Sequence, residues 1–97
     1  MSEEAHFYVV VYDISNDRRR TRLHNRLLDY GSPVQYSVFE CILDAKRLAR
    51  MKKMIKRTIK ESEDQVRIYH LCEACLQKTW LSRASVEVLD DPPAIVV

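Results

Sequence analysis

One acidic residue interrupts an otherwise apolar run near the N-terminus. In HFYVVVYDI, residues 6–14, Asp13 follows aromatic and β-branched residues and stands just before a basic segment. A carboxylate oxygen suits a hard cation such as Mg²⁺, which keeps several waters and needs only one or two carboxylates from a protein. The structural alternative is an aspartate that closes the following turn by a local side-chain hydrogen bond. A single carboxylate is a sparse metal site. A two-fold axis would bring Asp13 of two copies together, so that symmetry supplies the second ligand. Without a cation the two would repel, and one would take up a proton.

The net charge of +2 hides a strong segregation of charge. Arg18, Arg19, Arg20, Arg22 and Arg26 form one group, and Lys46, Arg47, Arg50, Lys52, Lys53, Lys56, Arg57 and Lys60 form another, together most of the 16 cations. Each phosphate that such a surface neutralises releases condensed counterions and strengthens binding. The first group opens a predicted helix, where cations oppose the macrodipole at about 0.3–1 kcal/mol each. An anion there would be welcomed by the free backbone N–H groups, and arginine grips phosphate in two places. Between Asp44 and Glu61 there is no acid at all. Like charges three and four residues apart then cost about 0.2–0.5 kcal/mol per pair, which a merely solvated helix avoids by alternating signs. Contact with a duplex backbone through Lys46, Arg50 and Lys53 is the reading that explains the stripe.

Cys72-Glu-Ala-Cys75 has the C-x-x-C spacing, with His70 close by. A structural zinc ion takes four ligands, and a distant Cys41 or His24 would complete an improvised set. A thioredoxin-like role wants a helix N-terminus at the pair, and the sequence does not announce one. The pair therefore reads as ordinary packing. No serine triad, phosphate loop or dinucleotide fingerprint is present. Tyr8, Tyr12, Tyr36, Phe39 and Tyr69 read as core residues before base-stacking platforms.

These groups need elements to hold them. His6–Ile14 predicts a strand apolar on both alternating faces, hence one covered from both sides. Ser15, Asn16 or Asp17 caps a helix with Leu23, Leu27 and Tyr30 at helical spacing. Gly31, the only glycine, is expected to end it as a left-handed C′ residue, with Pro33 blocking continuation. Val34–Leu43 reads as extended; whether it is one strand or two folded near Glu40 is open, because no turn residue marks a break. Asp44–Ser62 predicts an amphipathic helix with Leu48, Met51, Ile55 and Ile59 on its apolar stripe. Val66–Cys72 and the shorter Leu76–Leu81 predict strands, and the apolar 93–97 predicts a C-terminal edge strand that helps to join two subunits.

With 97 residues the chain holds one domain, 1–97, whose small core leaves it short of buried apolar area. Three cysteines, an odd number, and no membrane-length apolar segment fit a soluble protein in a reducing cytoplasm. Strands alternating with two helices imply an α/β sandwich, helices on one face of a small sheet. The bare face needs a partner.

VVVYDIS, followed by RRRTRLHNRLLDYG, VQYSVFE and VRIYHLCEAC, resembles the CRISPR-associated Cas2 family over nearly the whole chain. The resemblance implies an α+β ferredoxin-like fold and a homodimer packed sheet to sheet. It implies a role in acquiring CRISPR spacers beside the Cas1 integrase, with the dimer touching the duplex to be inserted. Members are assigned metal-dependent endonuclease activity on RNA or DNA, and the aspartate ending the first strand, here Asp13, is the implied Mg²⁺ ligand. Tyr12, Arg20, Arg22, Ser37 and Phe39 fall on other motif positions. Pro33 departs from the motif, standing where many members carry a basic residue.

Together these observations predict a symmetric dimer that binds nucleic-acid backbone and hydrolyses a phosphodiester at Asp13, with Arg18, Arg20 and Arg22 holding phosphate. A non-catalytic dimeric scaffold that spaces two integrase units is the rival. A toxin ribonuclease of the virulence-associated D type is the other.

Overall fold

The computed structural model describes residues 4–82. Strand β1 (His6–Asp13) leads into helix α1 (Asp17–Leu27), strands β2 (Gly31–Gln35) and β3 (Val38–Leu43), helix α2 (Ala45–Thr58), strand β4 (Gln65–Leu71) and a short helix α3 (Glu73–Gln77). The four strands lie in the order β2-β3-β1-β4, and every neighbouring pair is antiparallel. This is the βαββαβ order of a ferredoxin-like unit, with α3 added after it. The interior place of β1 explains why its residues are apolar on both faces.

On one face, Tyr8, Val10 and Tyr12 pack with Leu23 and Leu27 of α1, Phe39 of β3, and Met51 and Ile55 of α2. Each large side chain fully buried here contributes about 1.5–3 kcal/mol. Both helices begin where their sequences supply a cap. The Asn16 side chain accepts from the Arg19 N–H at 2.9 Å, and the Asp44 side chain accepts from the Arg47 N–H at 2.8 Å. Arg47 also donates to the Asp29 carbonyl just beyond α1, so α2 starts where α1 ends and the helices run antiparallel.

The opposite face carries Phe7, Val9, Val11 and Asp13 of β1. In register with them stand Ile42, Glu40 and Val38 of β3, and Leu71, Tyr69, Arg67 and Gln65 of β4. Leu76 of α3 covers Phe7, with Leu71 and Leu81 beside it. Val9 packs against the same cluster; across this face Val9, Val11 and Val38 are half-buried, and Ile42 and Tyr69 are 48% and 47% exposed.

Two sequence expectations are corrected, and a question the sequence left open is answered. Gly31 does not end α1 in a left-handed conformation, since no residue has a positive φ among those described. It opens β2, where a Cβ would stand 2.3 Å from the Glu40 carbonyl oxygen and 2.5 Å from Cys41 Sγ. Close strand approach, not a helix stop, requires glycine. Residues 34–43 are two strands broken at Tyr36-Ser37 rather than near Glu40, with a bulge between Pro33 and Gln35. β2 is an edge strand, where a proline is tolerated. The strand expected over Leu76–Leu81 is not formed, because Leu76 belongs to α3 and its N–H donates to the Cys72 carbonyl. The expected edge strand at 93–97 lies outside the described residues.

Candidate functional site

Asp13 is exposed at the C-terminal end of β1, opposite Gln65 of β4, and strand alternation sets it on the open face with Val9 and Val11. α1 starts only a few residues further on, so Asp13 and the first arginines share one end of the sheet. Among the described residues no three His, Cys, Asp or Glu side chains converge to hold a metal ion. An accessible carboxylate is the donor that Mg²⁺ takes, so the chemistry of Asp13 fits that ion as a single ligand.

The arginines of α1 divide into two kinds. Arg19 is engaged within the fold: its Nε donates to Asp64 Oδ2 at 2.7 Å, and its Nη2 donates to Asp64 Oδ1 at 3.2 Å and Glu63 Oε1 at 3.0 Å. The Lys60 N–H donates to the same Asp64 at 2.8 Å, so this buried carboxylate ties α1 to the turn before β4. The Arg19 guanidinium holds the Asp64 carboxyl below its ordinary range. Sequence reasoning placed Arg19 with the anion-binding cations because Asp17 was its only acidic neighbour along the chain; the loop acids approach only through folding. Arg20 donates to the Ile14 carbonyl at 3.0 Å and pairs with Asp17. Arg26 donates to Thr58 Oγ1 at 2.7 Å. Arg18 and Arg22 are exposed, with no ion pair among the described residues.

Tyr12 and Phe39 lie beneath this end, buried, with ring centroids 6.4 Å apart, and the His24 ring meets Phe39 edge-on at 5.1 Å. Burial raises the Tyr12 phenol, and the nearby Arg20 charge partly offsets that. Ser37 acts through its carbonyl, which accepts from the Tyr12 N–H at 3.1 Å. These three residues shape the β1 end from below.

Lys46, Arg50 and Lys53 are exposed along α2, whose first turn contains no acid. Leu43, just before α2, pairs with His6 at the start of β1, so Lys46 lies at the sheet end opposite Asp13. Asp13 and the α2 stripe are therefore two separate regions, one on the open sheet face and one on the helical layer. Glu40 was passed over as a site residue. It interrupts the open face beside Val9, its Oε1 is buried without a hydrogen-bond partner among the described residues, and burial raises its pKa. Its only sequence signal was the break in alternation within VQYSVFECIL.

Comparison with known proteins decides the family, since the sequence model described as CRISPR associated protein Cas2 matches residues 6–79. The chain belongs to the Cas2 family. It is 39% identical over 88 residues to CRISPR-associated endoribonuclease Cas2 1 of Chloroflexus aurantiacus, covering 90% of this chain and 87% of that protein. The fold matches the crystal structure of Streptococcus pyogenes Cas2 at pH 6.5 with a TM-score of 0.69 and 26% identity, covering 78% of this chain and 98% of the other. A chain of a partial Cas6-RT-Cas1–Cas2 complex superposes with a TM-score of 0.69 at 28% identity, over 82% of this chain and 92% of its own. The Cas2 match spans β1 to the turn after α3, so it includes Asp13, both arginine groups and the open face. No helix among the described residues is long and apolar enough to cross a membrane.

Proposed function

We propose that two copies of this Cas2-family chain meet across the open sheet face, bind nucleic-acid backbone and act with the Cas1 integrase in acquiring CRISPR spacers. The observation that carries this reading is the open face itself: half-buried valines and exposed Ile42 and Tyr69, with the exposed Asp13 at its end. A small domain gains stability when a second copy covers such a surface. Similarity to a chain solved in a complex with Cas1 supports the choice of partner.

In the hydrolytic form of the proposal, Asp13 of each copy would hold Mg²⁺, which when bound polarises a phosphate and makes water more acidic. Arg18 and Arg22 bind the phosphate oxygens, and Arg20, anchored by Ile14 and Asp17, adds fixed positive charge beside them. Lys46, Arg50 and Lys53 hold backbone farther away on the helical layer. The scaffold reading is favoured by one observation, that no three His, Cys, Asp or Glu side chains converge as a metal-holding group among the described residues. Asp13→Ala separates the two. The hydrolytic reading expects loss of Mg²⁺-dependent cleavage of RNA or DNA by purified protein, by about 10²-fold or more if a metal ligand is lost. Retained cleavage by the variant rejects it, and retained spacer acquisition without cleavage establishes the scaffold.

A further inference from the structure

The C-x-x-C pair stands in an arrangement that its sequence did not announce. Cys72 is the residue before α3 and Cys75 lies within it, both are exposed, and their sulfurs are 3.5 Å apart. Two free thiols in van der Waals contact need to close only to about 2.05 Å to form a disulfide. The third cysteine offers a contrast within the same molecule. Cys41 is buried on β3, and burial pushes its thiol up to about 11. The contact between Leu76 of α3 and Phe7 beneath it does not have to open for reagents to reach the exposed Cys72 and Cys75.

We propose that Cys72 and Cys75 form a redox-active dithiol that exchanges with small-molecule disulfides of the glutathione class. The Cys72 thiolate attacks one sulfur of the oxidant, forming a mixed disulfide and expelling one small thiolate. Cys75 then loses its proton and attacks the Cys72 sulfur, releasing the second small thiol. The protein gives up two electrons and two protons and gains one S–S bond, while the oxidant becomes two thiols. The roles follow position. The Cys75 N–H and thiol face the Cys72 sulfur and hold its pKa below the ordinary thiol value, whereas the neighbouring Cys72 sulfur raises Cys75. Closing the bond would fix the first turn of α3, the element that lays Leu76 on Phe7 at the edge of the open face.

The test equilibrates the full chain in buffers of reduced and oxidised glutathione, quenches with an alkylating agent, and reads intact and peptide masses. The expected result is one two-electron transition in which Cys72 and Cys75 lose alkylation together, linked in one peptide, while Cys41 resists alkylation until the protein is unfolded. Cys75→Ser should accumulate the glutathione adduct at Cys72, and Cys72→Ser should react several-fold more slowly at Cys75. Circular dichroism confirms that both variants are folded. Alkylation of both thiols at every ratio, stable mixed adducts on the unaltered pair, or disulfides only between molecules would each overturn the proposal.

Discussion

Gly31 carries a demand invisible along the chain: the backbone of β3 passes so close that any side chain would meet the Glu40 carbonyl. Gly31→Ala should destabilise the protein by about 1–3 kcal/mol, the range for overpacking, read as a lower urea midpoint at unchanged slope. Two carboxylates then set opposite pH dependences. Asp64 is held below its ordinary value of 3.8, chiefly by Arg19. Its contribution is complete above that value and is lost as the pH falls through the lower native one. Asp64→Asn should lower the thermal midpoint at neutral pH and shrink the difference from wild type in acid. Glu40 has a native pKa raised above 4.5 by burial, so the native state binds its proton more readily than the unfolded chain. Its contribution is most favourable below 4.5 and falls away as the pH rises through the raised native value. Glu40→Gln should therefore raise the midpoint at pH 7 and leave it nearly unchanged at pH 4. An unchanged midpoint at pH 7 would show that the buried oxygen finds a partner in solution.

Among the elements, α2 makes the clearest prediction. Replacing Lys46, Arg50 and Lys53 with neutral residues should weaken duplex DNA binding uniformly across sequences. It should reduce the slope of log affinity against log salt by about 0.9 for each phosphate contact removed. Unchanged affinity and slope would mean that the stripe is only a solvated face. The same element shows what was legible beforehand: its apolar stripe and its Asp44 cap are local features, and both were read from spacing alone. The β2–β3 break was not, because Tyr36 and Ser37 turn the chain without a positive φ and so without glycine or asparagine. α3 was misread because Leu76 and Leu81 alternate only weakly, while Glu73-Ala74-Cys75 suits a helical first turn. Asp13 and the exposed Arg22 were visible as a break in a strand and a cation in a basic run. The capture of Arg19 by Asp64, 45 residues away, depends on topology that no local pattern encodes.

At the scale of the molecule, the described residues leave one face of the sheet largely open, and the proposed site needs a second copy to complete it. A charge at the centre of that sheet should separate the copies. Val11→Lys is expected to shift sedimentation from dimer to monomer at micromolar concentration and to abolish any Asp13-dependent cleavage, with the far-ultraviolet circular dichroism retained. A dimer that persists would place the contact elsewhere. The claim on which the site depends is that the two β1 ends come together, and a pairwise distance measures it. Asp13→Cys, made with Cys72→Ser and Cys75→Ser and carrying a nitroxide label, reports the separation of position 13 between copies by pulsed electron resonance. A single narrow distance at the short limit of the method is the expected result. No dipolar coupling, or a distance that spans the full width of two sheets, would contradict a site shared between subunits.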